Sequence, residues 1–338
     1  MNYAKEWKMA HGLTKKSLLL LLAFGLSVQA HSSCSSINRG KGASHDHGDS
    51  TRSMTYDGRT RTYQVHIPPL HATRMHLPLV IVLHGGGGTG RKMKHYLTRG
   101  GFNALADEEG FAVVYPDGVE RHWNDGRELD RYRAHREDVD DVGFISQLID
   151  HHVATLRIDP RRIYVTGISN GGLMSYRLAC QLTQKITAIA AVTASLSEKL
   201  RATCKPSANI SVLIMNGTED PLVPWDGGDI HIWWRTFGRV LSTRDTLRFW
   251  VERNRCSPST ALVEAWDENE EDGTRVRREV YGECKDDVEV VLYTIEGGGH
   301  TWPGGYQYLP EWIIGKTSLE LNANETIWRF FKAKSRMQ

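Results

Sequence analysis

Short, uninterrupted apolar runs recur along the chain: Leu79 to Leu83, Ala112 to Tyr115, Ile163 to Thr166, Ile189 to Val192, Val212 to Met215 and Val290 to Ile295. Runs of this length predict strands buried on both faces, since a half-buried strand would alternate apolar and polar positions. Tyr63-Gln64-Val65-His66-Ile67 does alternate, and it reads as an edge strand ahead of Pro68-Pro69. Between the runs the period changes. Val142, Ile145, Ile149, Val153 and Leu156 follow spacings of three and four and predict one face of a long helix. Residues 173–182, 246–251 and 325–331 read as further helices. Strands alternating with helices imply an α/β fold, a mostly parallel central sheet with helices on both faces. No internal repeat interrupts residues 55–338, so the expected organisation is a single α/β domain there. It is preceded by a Ser-, Gly- and His-rich leader at 31–54, expected to be disordered.

Composition narrows the function class. With 338 residues, 40% hydrophobic and 24% charged, the chain is neither disordered nor fibrous. A formal charge of only +2 gives no electrostatic reason to expect a nucleic-acid partner. The first thirty residues carry Lys5, Lys8, Lys15 and Lys16, then an apolar run from Leu18 to Leu26, then Val28-Gln29-Ala30. That is the order of a cleaved secretory signal, residues 1–30, and the run is too short to span a bilayer. Cleavage removes four Lys and one Glu, taking the net charge from +2 to −1. No stable membrane association is then expected. Lipidation at Cys34 is disfavoured by His31-Ser32-Ser33. Export, to the periplasm or outside the cell, makes the cysteines readable. Cys180, Cys204, Cys256 and Cys284 contain no C-x-x-C pair, which argues against a zinc site and, in an oxidising compartment, for two disulfides. Sequential pairing, Cys180–Cys204 and Cys256–Cys284, is the expectation among about three arrangements, with buried free thiols as the alternative. His45-Asp46-His47 could catch a metal, but nothing there preorganises the ligands, so no metal is expected.

Candidate chemistry appears at the ends of the buried strands. Gly167-Ile168-Ser169-Asn170-Gly171 follows the strand ending near Thr166 and opens a helix. A serine on so tight a turn needs glycine on both sides, and the helix start offers the Asn170 N–H to a developing oxyanion. The alternative is a Gly-rich turn with a helix-capping serine. Leu79 to Leu83 ends in His84-Gly85-Gly86-Gly87-Gly88, a glycine loop suited to placing a second donor, the Gly86 N–H. A serine hydroxyl needs a base held in the right tautomer by an acid. Asp220, on the loop after Val212 to Met215, stands where the acid belongs, with Glu219 and Asp226 as rivals. His300, delivered by Gly297-Gly298-Gly299 after Val290 to Ile295, is the expected base.

In these residues the chain resembles the secreted feruloyl esterase and polyhydroxybutyrate depolymerase family of α/β-hydrolases. The resemblance runs from Tyr63 to Gly305. It rests on Leu83-His84-Gly85-Gly86, Tyr115-Pro116-Asp117-Gly118, Trp123-Asn124-Asp125, Asp140-Asp141-Val142-Gly143-Phe144, the Ser169 turn, Gly217-Thr218-Glu219-Asp220-Pro221 and Gly299-His300-Thr301-Trp302-Pro303-Gly304. It implies an α/β-hydrolase fold, a triad of Ser169, Asp220 and His300, oxyanion donors at Gly86 and Asn170, and no cofactor. It also implies aromatic faces of Trp123 and Trp302 flanking the substrate, and the Cys256–Cys284 bridge resembles the family's pattern. Many polymer depolymerases carry cysteine where Gly86 stands and add a polymer-binding domain. The expected substrate is therefore a small or polysaccharide-linked ester rather than a polyester granule. Trp233 and Trp234 lie in a stretch longer than the resemblance leads one to expect. They would form a wall over the acyl pocket or cover a satellite core. The activity implied is carboxylic ester hydrolysis through an acyl-enzyme. Polymer depolymerisation, acyl transfer, peptide hydrolysis and a catalytically silent carbohydrate binder are the alternatives.

Overall fold

The computed structural model describes residues 47–69, 76–232 and 234–336. The signal sequence, Cys34, the leader as far as residue 46 and Trp233 lie outside the described residues. Strands run in chain order as β1 (Gly48–Tyr56), β2 (Arg59–Ile67), β3 (Leu77–Leu83), β4 (Ala112–Pro116), β5 (Ile158–Ile168), β6 (Ala188–Val192) and β7 (Ser211–Gly217). They continue as β8 (Gly228–Ile232), β9 (Arg235–Val240), β10 (Leu262–Trp266), β11 (Arg275–Tyr281) and β12 (Val290–Glu296). Ten of these form one sheet in the order β1-β2-β4-β3-β5-β6-β7-β12-β11-β10, while β8 and β9 pair as a separate hairpin. Every apolar run singled out in the sequence became a central strand, paired in parallel from β4 through β12. The antiparallel margins, β1-β2-β4 on one side and β12-β11-β10 on the other, extend the sheet beyond that core.

The longer helices are α1 (Gly101–Glu109), α2 (Asp141–Leu156), α3 (Asn170–Gln181), α4 (Glu198–Thr203), α5 (Thr243–Arg253) and α6 (Ala323–Lys332). They cover both faces. Leu79, Ile81 and Leu83 of β3 pack in one core with Ile145, Leu148, Leu173 and Trp250, and Val80 and Val82 pack in the other with Phe102, Ile327 and Phe331. Cys180 is bonded to Cys204 and Cys256 to Cys284, as the sequential pairing anticipated.

β1 takes in residues that the sequence pattern assigned to the leader. Residues 48–54 belong to β1, which pairs with β2 in unbroken register from Gly48↔Ile67 to Tyr56↔Arg59. Its side chains alternate between exposed and half-buried, so the strand forms with almost no apolar signature. The turn supplies the missing signal: Asp57 and Gly58 both have positive φ, 49° and 67°, the conformation an Asp-Gly hairpin turn requires.

The chain passes from β3 to β4 on one side and then to β5 on the other, so the strand order reverses at β3. Ligands of open α/β sheets bind beyond the carboxyl ends of the strands at such a switch point.

Candidate active site

Ser169 occupies that point, at the end of β5, with φ 55° and ψ −121°. The turn is possible because its neighbours lack side chains. A Cβ on Gly171 would lie 2.5 Å from the Leu83 carbonyl oxygen, and one on Gly167 would lie 2.6 Å from the backbone of Gly171. Ser169 N–H donates to the Val192 carbonyl at 2.9 Å, and α3 starts at the next residue. The Ser169 side chain makes no capping hydrogen bond. This disfavours the helix-cap alternative.

The glycine loop after β3 lies directly against this turn. A Cβ on Gly85 would sit 3.5 Å from Ser169 Cβ, and one on Gly86 would sit 3.7 Å from Asn170 Cβ. His84 braces the loop: Nδ1 donates to the Gly85 carbonyl at 2.8 Å, and Nε2 accepts the Gly118 N–H at 3.0 Å. Burial pushes its imidazole down to about 4, so the ring is neutral at neutral pH.

Beyond β7 and β12 an acid and an imidazole meet. His300 Nδ1 donates to Asp220 Oδ2 at 2.7 Å, with both side chains buried. Asp220 Oδ1 accepts the N–H groups of Leu222 and Val223 at 2.8 and 2.9 Å. The His300 backbone is held by its N–H to the Ile314 carbonyl at 2.5 Å and by the Tyr308 hydroxyl on its carbonyl at 3.0 Å. Close packing again demands glycine, since a Cβ on Gly299 would lie 2.2 Å from the Ile314 oxygen. With Nδ1–H committed to a carboxylate, Nε2 carries the lone pair a base needs. The rivals Glu219 and Asp226 are both exposed. Among the described residues no His, Cys, Asp and Glu group is arranged to hold a metal.

The tryptophans are corrected. Trp123 and Trp302 have 0% exposure and cannot offer faces to a substrate. Trp302 packs edge-on to Phe102 and donates its indole N–H to Asn324 Oδ1 at 3.2 Å. Trp123 lies in the core beside α3, its indole N–H on the His84 carbonyl at 3.0 Å. Trp234, at the turn between β8 and β9, is 76% exposed, so it covers no core. The aromatic surface beside the glycine loop is a different one. His122, whose ring would meet a Cβ on Gly86 at 3.3 Å, stacks on Tyr132 at 3.7 Å, and Tyr132 in turn stacks on Phe237 at 5.8 Å. These three are scattered in sequence and no motif unites them.

The family profile described as Esterase PHB depolymerase matches residues 61–215. NocK of Nocardia uniformis subsp. tsuyamanensis is 34% identical over 296 residues, 81% of this chain and 80% of its own. The chain belongs to the Esterase PHB depolymerase family. Feruloyl esterase D of Neurospora crassa is 25% identical over 292 residues, covering 84% of this chain and 88% of its own. In fold, the acetyl xylan esterase from Aspergillus awamori superposes with a TM-score of 0.53 at 12% identity, over 84% of this chain and 99% of its own. This member of the Esterase PHB depolymerase family is therefore an α/β-hydrolase and a carboxylic ester hydrolase.

Proposed function

We propose that the protein is a secreted serine esterase acting on feruloyl or acetyl esters of plant-wall polysaccharide through a triad of Ser169, His300 and Asp220. The observation that carries this reading is the 2.7 Å bond from His300 to Asp220 at the same sheet end as the strained Ser169 turn. His300 Nε2 takes the Ser169 proton as Oγ attacks the ester carbonyl. The backbone N–H groups of Gly86 and Asn170 receive the oxyanion, and the imidazolium returns the proton to the leaving alcohol. Water, deprotonated by the same imidazole, then adds to the acyl-enzyme, and collapse releases the acid and restores the serine. Asp220 keeps the imidazole in its Nδ1–H tautomer throughout. The substrate class is supported by the names of sequence relatives, a feruloyl esterase for the feruloyl group and an acetylxylan esterase for acetylated polysaccharide. Export is supported by the two disulfides and by the charged, apolar and small-residue order at the N-terminus.

The test is hydrolysis of p-nitrophenyl acetate by wild type and Ser169→Ala, followed by methyl ferulate, acetylated xylan and hydroxybutyrate oligomers. The variant is expected to lose about 10⁴-fold or more in kcat, and the wall-type esters to be the better substrates. Equal rates for wild type and variant would refute the serine mechanism. Preference for hydroxybutyrate oligomers would refute the substrate class.

A further inference from the structure

We propose that Asp125 is a positioning residue for the oxyanion hole, acting through the side chain of Asn170. The proposal rests on the reading of Ser169 as nucleophile and of Asn170 N–H as an oxyanion donor. A backbone N–H at the first turn of a helix is aimed by whatever fixes its own residue, and Asn170 is fixed on every side. The Trp123 N–H donates to Asn170 Oδ1 at 2.8 Å, while Asn170 Nδ2 donates to the Trp123 carbonyl at 3.1 Å and to Asp125 Oδ2 at 2.6 Å. Both Nδ2 hydrogens are thereby used, and the amide has one orientation.

Asp125 is itself held rigidly. It is fully buried, and the Arg127 guanidinium grips it through Nε, 3.0 Å from both carboxylate oxygens, and Nη2, 2.7 Å from Oδ2. Arg127 Nη1 in turn donates to the Phe237 carbonyl of β9 at 2.8 Å. His135 Nε2 lies 3.7 Å from Asp125 Oδ1. The carboxylate is thus a fixed strut rather than a mobile acid. The same segment reaches the second donor, because the Trp123 indole N–H holds the His84 carbonyl at the head of the glycine loop. Residues 123–125 therefore span the two halves of the hole. Their placement matters most once the carbonyl oxygen carries charge, so a fault there should lower kcat and leave KM nearly untouched.

Two variants, Asp125→Asn and Asn170→Ala, are assayed with p-nitrophenyl acetate after titration of active sites with a fluorophosphonate. The expected result is a fall in kcat per titrated site of about 10- to 100-fold, with KM within about twofold. The Ki of a trifluoromethyl ketone, which forms a tetrahedral adduct on serine, should rise by the same factor as kcat falls. Should Asp125→Asn fail to fold because Arg127 loses its carboxylate, Asn170→Ala decides, since it keeps the Asp125–Arg127 pair. Wild-type kcat and Ki per titrated site in Asn170→Ala, with only Tm or the titratable fraction lowered, would overturn the proposal. A wild-type protein left unlabelled by the probe would overturn the nucleophile reading, and this proposal with it.

Discussion

Ser169 holds a backbone conformation that side chains rarely adopt, at a cost on the order of 1–3 kcal/mol. The surrounding glycines make it tolerable, but they do not all matter for the same reason. Gly171 is needed for space, because an added methyl would press on the Leu83 carbonyl at 2.5 Å. Gly87 is needed only for its φ of 73°, since a Cβ added there would meet nothing within 4 Å. Gly171→Ala is therefore expected to destabilise by roughly 1–3 kcal/mol and to depress kcat by displacing Ser169. Gly87→Ala should cost about 1 kcal/mol and leave kcat within a few-fold. Thermal melts and steady-state kinetics on the two variants check this, and equal losses would contradict the distinction. Such positions were legible in the sequence because a strained turn admits few residue types. Trp123 and Trp302 were misread for the opposite reason: an aromatic beside a motif looks the same whether it faces substrate or fills the core.

At the level of elements, the buried strands and the helix at Asp141–Leu156 were read from their periods, because burial on both faces or on one stripe leaves an unambiguous pattern. β1 escapes a hydrophobic-pattern reading because only Met54 and Tyr56 on its inner face are apolar, and it is specified mainly by pairing with β2 and by the Asp57-Gly58 turn. The β8–β9 hairpin was missed likewise, its ends too short and polar to register. Each disulfide ties the end of one helix to a segment further along the chain. Cys180 near the end of α3 meets Cys204 just beyond α4, and Cys256 beyond α5 meets Cys284 ahead of β12, across separations of 24 and 28 residues. Loops of that size predict a loss of about 3 kcal/mol each on chain-entropy grounds when the bond is removed. The double variants Cys180→Ala/Cys204→Ala and Cys256→Ala/Cys284→Ala should each lower Tm by several degrees in differential scanning calorimetry. An unchanged Tm would mean that the core already fixes those ends.

Across the whole molecule, stability should fall in mild acid, and two imidazoles say where. Burial drives His84 and His152 from an ordinary 6.5 down to about 4. The unfolded chain therefore binds more protons than the native one between those pH values. Each ring contributes stability that is complete above about pH 6.5 and is lost as pH falls toward 4, up to about 3 kcal/mol each. Tm measured from pH 7.5 to 4.5 should drop steeply below 6.5, and His152→Phe should flatten that slope. A slope unchanged by the substitution would assign the acid sensitivity to other groups. One of these imidazoles has a second consequence. Because β3 is greasy on both sides, Leu79, Ile81 and Leu83 on one and Val80 and Val82 on the other, sliding it by one position would exchange one oily set for another at little cost. The penalty comes from the strand's tip, where His84 would swing away from Gly118 and Nε2 would lose its partner, while the bond to the adjacent Gly85 carbonyl would travel with the strand. The ring that braces the glycine loop thus also serves as the index mark that aligns the central ribbon of the sheet.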